Sequence, residues 1–145
     1  MKAVGRIAFA LMAMGFLWAG RTGAQQAPQF PVDQNKIAIG AKEISPEELK
    51  KLVASGKVML IHVDPPQNYE KETIAGSVNI PLAELQERLK TIPKDTTLVF
   101  VCNRGPRSSQ AAKIAEEAGF KAASFCPIVK WKEEGNPTEP GKKPS

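Results

Sequence analysis

Short apolar runs alternate with helical patterns along this chain, and the alternation restricts its fold more than any other feature. The runs predict strands at 57–63, 76–81, 97–101 and 121–125. Helices are predicted from Ser45 to Gly56, from about Leu82 to Leu89, from Ser108 to Ala118, and from Ile128 to Glu134. Strands that alternate with helices form parallel sheets with both faces covered. We therefore predict an α/β domain with a mostly parallel sheet between helices.

The first 24 residues have the pattern of a secretion signal. Lys2 and Arg6 give a basic start, the stretch 7–19 is apolar apart from one glycine, and Thr22-Gly23-Ala24 puts small residues before a cleavage point. The apolar run is shorter than the roughly 20 residues that span a bilayer. We expect a signal peptide at 1–24, export to the bacterial periplasm, and membrane contact only through this segment. A linker is expected at 25–40, the folded domain at 41–137 and a disordered tail at 138–145.

Loss of this segment would change the charge of the protein. Three of the 20 basic residues and none of the 15 acidic ones lie in it, so the net charge would fall from +5 to +2. The remaining basic residues are scattered, which argues against nucleic-acid binding. The single histidine has no neighbouring cluster of cysteines or acids, so neither a metal site nor a cofactor is predicted.

Cys102 follows the apolar strand at 97–101 and is the strongest candidate for chemistry. A tight loop with Gly, Pro and two arginines separates it from a helix for which Ser108 is the predicted N-cap. Backbone N–H groups, cations and a helix N-terminus all favour the thiolate, which is the nucleophilic form of cysteine. The sequence therefore predicts a nucleophilic thiol at the carboxyl edge of the sheet.

Three segments carry a resemblance to a known family. They are Cys102-Asn103-Arg104-Gly105-Pro106-Arg107-Ser108, Ile74-Ala75-Gly76-Ser77-Val78-Asn79-Ile80-Pro81, and Trp131-Lys132-Glu133-Glu134-Gly135-Asn136-Pro137. Their order and context resemble the rhodanese-like sulfurtransferase domain, particularly its small exported single-domain members. The resemblance covers about 41–137 and implies the three-layer fold of that family. Related phosphatases have one more loop residue, so phosphatase chemistry is the weaker interpretation.

The resemblance implies a role for each loop residue. Cys102 would take a sulfane sulfur from a donor such as thiosulfate and hold it as a persulfide until a thiophilic acceptor, such as cyanide or a thiol, removes it. The backbone N–H groups of 103–107 would surround this anion. Arg107 would bind loop carbonyls, Ser108 would cap the helix, and Arg104 would attract an anionic donor. Gly105 would permit the close turn of the loop.

Three segments depart from the family pattern, and one of them is Glu72-Thr73-Ile74, which stands where the family has G-H-I. His62-Val63-Asp64 stands where the family has D-x-R, which puts an acid where an anionic donor would prefer a base. We interpret His62 as a structural histidine at the end of its strand. Cys126-Pro127 stands where the family has Gly-Gly. Cys126 is expected on the strand beside Cys102, where it would either form a reversible link with Cys102 or be a buried inert thiol.

Three classes of function remain open at this point. The first is an enzyme that transfers sulfur through Cys102. The second is a carrier or sensor of the same fold that delivers sulfur to a protein thiol partner. The third is a dithiol redox protein that uses Cys102 and Cys126, which lacks the usual C-x-x-C spacing. Nothing in the sequence suggests an obligate oligomer, so a monomer is expected.

Overall fold

The computed structural model describes residues 28–143, and within them a parallel sheet lies between two layers of helices. The strands are β1 (Val58–His62), β2 (Val78–Asn79), β3 (Thr97–Cys102) and β4 (Ala123–Pro127). The helices are α1 (Pro46–Ser55), α2 (Pro66–Lys71), α3 (Leu85–Leu89), α4 (Pro106–Glu117) and α5 (Ile128–Glu133), with a 3-10 turn at Leu82–Glu84. The strand order is β2-β1-β3-β4, and every pair in this sheet is parallel.

The central strand β3 explains why the sheet needs two covering layers. Its residues from Leu98 to Val101 are fully buried, so side chains on both faces of the strand require apolar partners. One face packs against α3 and α4, and the other against α1 and α5. The predicted α/β class, with a parallel sheet between helices, is confirmed.

Helix ends follow the predicted signals in α1 but not at the start of α4. The hydroxyl of Ser45 accepts a hydrogen bond from the N–H of Glu48 at 3.1 Å, as an N-cap does. The predicted N-cap Ser108 is wrong, because α4 begins at Pro106 and its N-cap is Gly105. Proline favours the first helical position, because its missing N–H would have no partner within the helix there. Helix α4 therefore begins two residues before the predicted start at Ser108.

Two further elements differ from the prediction. The short helix α2 was not predicted, because its six residues contain only one buried side chain, Tyr69, and show no apolar period. Strand β4 lies two residues later than predicted and contains Cys126 instead of ending before it.

Residues 28–39, which we call the N-terminal strap, pack against α4. The Gln110 side chain accepts a hydrogen bond from the N–H of Phe30 at 2.7 Å and donates one to its carbonyl at 2.9 Å. The N–H of Ala38 donates to the hydroxyl of Ser109 at 2.9 Å, and Ala38 is buried. The prediction of a linker at 25–40 therefore does not hold for residues 28–39, which are part of the packed domain.

The end of the chain is also held in place. Thr73 and Glu139 exchange two backbone hydrogen bonds, and the N–H of Gly141 donates to the carbonyl of Tyr69 at 3.0 Å. The disordered tail predicted at 138–145 is thus corrected as far as Gly141. The signal peptide predicted at 1–24 lies outside the described residues. Between residues 28 and 143, no helix has both the length and the apolar character needed to cross a bilayer.

Candidate active site

The sulfur of Cys102 lies inside the loop that connects β3 to α4. It accepts hydrogen bonds from the N–H groups of Gly105 at 3.1 Å and Ser108 at 3.3 Å. The hydroxyl of Ser108 lies 3.2 Å from the same sulfur. Because Ser108 is in the first turn of the 12-residue helix α4, the sulfur faces the positive end of that helix. Such donors stabilise negative charge on sulfur.

Gly105 gives the loop its shape. Its φ of 112° lies in the region that side chains with a Cβ rarely adopt. A Cβ here would lie 3.0 Å from Cδ1 of Ile37 and 3.2 Å from Cγ of Pro127. The hydroxyl of Ser108 donates to the Gly105 carbonyl at 3.1 Å, so Ser108 stabilises the loop from inside the helix and does not cap it. The role predicted for Gly105 agrees with this geometry.

Asp64 connects the two ends of the loop. One carboxylate oxygen accepts a hydrogen bond from Arg107 Nη1 at 2.9 Å, and the other accepts one from the N–H of Asn103 at 3.2 Å. Arg107 therefore binds this carboxylate, and within 28–143 its side chain donates to no loop carbonyl, contrary to expectation. The position where an anionic donor would prefer a base thus holds a buried acid whose charge is balanced by Arg107.

His62 supports Asp64 from the interior. Its Nε2 lies 3.2 Å from Asp64 Oδ2, and its Nδ1 lies 2.9 Å from the hydroxyl of Thr73. Asn79 donates to the carbonyls of both His62 and Asp64, which fixes the backbone on either side of Val63. Both ring nitrogens have partners and the residue is 1% exposed, so His62 is the satisfied structural histidine that was predicted.

The pKa of Asp64 reflects this environment. Burial alone would raise the pKa, but hydrogen bonds from His62 and Arg107, the charge of His62 and the N–H of Asn103 together lower it below 3.8. The carboxylate is therefore ionised at neutral pH, and the connection between Asn103 and Arg107 is a charged one. Sequence analysis could not find this network, because only the fold brings 62–64, 73 and 103–107 together.

The remaining loop residues lie at the surface. Asn103 and Arg104 are exposed, while Pro106 is half-buried. In the part of the chain that the structure describes, Arg104 forms no ion pair, whereas Arg107 is paired with Asp64. The attraction of an anionic donor by Arg104 stays a prediction.

Cys126 lies next to β3 but on the wrong side of the sheet to meet Cys102. In the register of β3 and β4, Val101 pairs with Cys126 and Cys102 pairs with Pro127. Because adjacent residues of a strand point to opposite faces, the two sulfurs are separated by the sheet. Each cysteine packs in a different core cluster, and both thiols are free.

The hypothesis of a reversible Cys102–Cys126 link is therefore wrong for this fold. Burial raises the pKa of Cys126 to about 12, so its thiolate is scarcely populated at neutral pH. Cys126 is the buried inert thiol that was the alternative, and the dithiol redox function loses its geometric basis.

Comparisons with known proteins agree with this geometry. The family model of the rhodanese-like domain matches residues 45–127. Human thiosulfate:glutathione sulfurtransferase is 34% identical over 98 residues, which are 58% of this chain and 85% of that protein. A putative sulfurtransferase of Bacillus subtilis strain 168 is 33% identical over 98 residues, covering 66% of this chain and 95% of its own. The solved structure of a human single-domain sulfurtransferase superimposes with a TM-score of 0.60 and 31% identity, covering 66% of this chain and 98% of that one.

Proposed function

The chain belongs to the rhodanese-like domain family, and on this premise we propose that it moves a sulfane sulfur from a donor such as thiosulfate to a thiophilic acceptor through a persulfide on Cys102. The similarity to proteins named as sulfurtransferases supports the general class of reaction. Donor and acceptor would be small molecules, or a protein thiol in the case of the acceptor. The proposed reaction needs no cofactor.

The proposed reaction has two balanced steps. In the first, the Cys102 thiolate attacks the outer sulfur of thiosulfate, the S–S bond of the donor breaks, and sulfite leaves with its electron pair. In the second, cyanide attacks the outer sulfur of the persulfide, and thiocyanate leaves as the Cys102 thiolate is restored. Both steps keep negative charge on sulfur within the loop, so donors that stabilise this charge assist both.

The observation that carries the proposal is the pair of N–H groups on the Cys102 sulfur. Gly105 and Ser108 donate to it from a loop that is closed at both ends by Asp64. The donors are already in place, so little reorganisation is needed when charge builds up on sulfur. A buried cysteine without such donors would be only a small apolar side chain.

The test is thiosulfate:cyanide turnover by the reduced protein, with thiocyanate as the measured product. Cys102→Ser should abolish turnover, and Cys126→Ser is the matched control because its thiol lies on the other face of the sheet. Loss of activity in both variants, or in neither, would contradict the proposed role of Cys102.

A carrier function is the second candidate, and the ion pair between Asp64 and Arg107 favours it. Because Arg107 is paired with Asp64, its charge is less available to attract a dianion such as thiosulfate. A carrier would accept one sulfur per molecule, visible by mass spectrometry, but would turn over poorly with small acceptors. Rapid turnover with cyanide would exclude this alternative.

We propose in addition that residues 1–24 are a secretion signal and that the mature protein acts as a monomer in the bacterial periplasm. The basic start, the apolar run and the small residues before Gln25 support this proposal. Mass spectrometry of protein from fractionated cells would test it. A periplasmic form beginning near Gln25 is expected, and a full-length cytoplasmic form would contradict the proposal.

A further inference from the structure

Part of the N-terminal strap forms a tight hairpin. Val32 and Ala38 form an antiparallel bridge across it, and we call residues 32–38 the strap hairpin. Ala38 is buried, while the turn at 33–36 is exposed. The family model matches 45–127, so the strap hairpin lies outside the region by which the family is recognised.

A carboxylate fixes the turn of the strap hairpin. Oδ1 of Asp33 accepts hydrogen bonds from the N–H of Asn35 at 2.8 Å and from the N–H of Ile37 at 3.0 Å. The N–H of Asp33 also donates to the carbonyl of Ile37 at 2.9 Å. Aspartate side chains stabilise tight turns in this way, because their oxygens reach the backbone of the residues that follow. Asp33 therefore holds the backbone of Ile37 at both its N–H and its carbonyl.

The side chain of Ile37 packs against the active-site loop. It is half-buried and contacts the core cluster that contains Cys102. A Cβ built on Gly105 would lie 3.0 Å from Cδ1 of Ile37 and 3.2 Å from Cγ of Pro127, so both side chains lie closely against this glycine. Gly105 carries one of the two N–H groups that donate to the Cys102 sulfur. Ile37 therefore limits how far this donor can move away from the sulfur.

The next residue of the strap hairpin holds the region of the second donor. The N–H of Ala38 donates to the hydroxyl of Ser109 at 2.9 Å, and this hydroxyl donates to the carbonyl of Pro106 at 2.8 Å. Ser109 directly follows Ser108, whose N–H donates to the Cys102 sulfur at 3.3 Å. Two successive residues of the hairpin thus contact the loop and the first turn of α4 where the donors to sulfur lie.

These contacts matter for the reaction because a sulfur anion is stabilised only by donors in the correct place. Hydrogen bonds weaken steeply as the donor moves out of distance or alignment, and donors fixed beforehand need no reorganisation when charge forms. Gly105 has no side chain with which to anchor itself, so its position depends on its neighbours. A shift of about 1 Å in a reacting group can cost about 10²-fold in rate.

We propose that the strap hairpin is a positioning element for sulfur transfer and that it acts through Ile37 and Ala38. These two residues keep the N–H groups of Gly105 and Ser108 within hydrogen-bond distance of the Cys102 sulfur. The inference rests on the proposed sulfur transfer through Cys102. It adds to that reaction a part of the chain that lies outside the family match.

The test is the single-turnover release of sulfite when reduced protein is mixed with thiosulfate at a series of concentrations. Ile37→Ala should lower the rate constant at saturating thiosulfate about tenfold, because the Gly105 donor is no longer confined. The half-saturating concentration should stay within about twofold of the parent value, because the Ile37 side chain has no polar atom or charge with which to bind thiosulfate.

Leu52→Ala is the matched control for Ile37→Ala. It removes the same number of carbons from another half-buried side chain, which packs in the core cluster on the other face of the sheet. It should change neither the saturating rate constant nor the half-saturating concentration. Equal losses of rate in the two variants would overturn the proposal, because they would reflect a general loss of packing.

A second pair of variants tests the turn at an exposed position, where the fold is not at risk. Asp33→Ala removes the acceptor for two N–H groups, whereas Asp33→Asn keeps an oxygen in the same place. Both variants lose the same charge, so a difference between them comes from the turn. Asp33→Ala should lower the saturating rate constant several-fold, and Asp33→Asn should retain the parent value.

The Asp33 pair decides the outcome if Ile37→Ala does not fold. Equal rates for Asp33→Ala and Asp33→Asn would overturn the proposal, since the turn would then have no effect on the loop. A change in the half-saturating concentration alone would also overturn it, because the hairpin would then act on donor binding.

Failure of this inference is distinct from failure of the proposed function. If the parent releases sulfite and the variants behave as their controls do, the positioning role is wrong while sulfur transfer stands. If the parent releases no sulfite and gains no sulfur on Cys102, the proposed function fails and this inference fails with it.

Discussion

Replacement of Gly105 by alanine should destabilise the protein by an amount that the structure allows us to divide into two parts. The first is backbone strain at a φ of 112°, which costs about 1–2 kcal/mol for a residue with a Cβ. The second is overpacking, because the new Cβ would lie 3.0 Å from Ile37 Cδ1 and 3.2 Å from Pro127 Cγ. Overpacking of this kind costs about 1–3 kcal/mol, so the total is about 2–5 kcal/mol.

Gly119→Ala separates the two parts. Gly119 has a similar φ of 97°, but a Cβ there would meet nothing within 4 Å. This variant should show the strain without the overpacking, about 1–2 kcal/mol. Any gain from a less flexible unfolded chain is common to both variants and cancels in the comparison.

The assay is urea-induced unfolding followed by the fluorescence of Trp131, which is 7% exposed in the folded protein. Gly105→Ala should be less stable than Gly119→Ala by about 1–3 kcal/mol. In an Ile37→Ala background, which lacks the nearest atom, the cost of Gly105→Ala should fall by about 1 kcal/mol. Equal costs for the two glycine variants would refute the reasoning, because they would show that the contacts around Gly105 have no energetic effect.

Asp64, Ser108 and Cys126 each provide a separate test. Because the pKa of Asp64 lies below 3.8, its carboxylate stabilises the fold at higher pH and this stabilisation is lost as the pH falls through that range. Asp64→Asn should therefore be less stable than the parent at pH 6 by about 1–3 kcal/mol, and urea unfolding should show this difference shrink progressively as the pH falls below about 4. A constant difference at every pH would contradict this assignment. Ser108→Ala removes the donor to the Gly105 carbonyl and should lower the free energy of unfolding by about 1 kcal/mol in the same assay. Its kcat/KM should fall less than about tenfold, since both N–H donors to the Cys102 sulfur remain. Complete inactivity with an intact fold would contradict this expectation and give the hydroxyl a larger role. Because the pKa of Cys126 is about 12, iodoacetamide should modify Cys102 alone in the native protein at pH 8 and both thiols in urea. Mass spectrometry counts the modified thiols. Modification of Cys126 in the native protein would disprove its inertness.

The sequence was sufficient to predict the layers of the fold because local patterns there agree with the tertiary structure. The fully apolar run at 97–101 demands cover on both faces, and Ser45 and Gly119 mark helix ends that depend only on near neighbours. The position of Cys102 at a strand end followed from the same reasoning.

What the sequence could not predict depends on distant contacts. Whether Cys126 faces Cys102 is decided by a shift of one residue in the register of β4, and no local pattern determines that shift. The role of Asp64 depends on Arg107, which is 43 positions away. The strap resembles a linker in composition. It is held against α4 because its backbone N–H groups donate hydrogen bonds to the side chains of Gln110 and Ser109.

The register of β4, which places Cys126 and Cys102 on opposite faces of the sheet, also determines how the protein recovers from oxidation. A thiol with a neighbour on its own face can be restored by an internal exchange whose rate does not depend on concentration. Cys102 has no such neighbour in the described part of the chain, because Cys126 lies across the sheet. Once oxidised, Cys102 returns to the thiol only by collision with a reductant from outside the molecule. Its recovery is therefore second order, with a rate proportional to the concentration of external thiol.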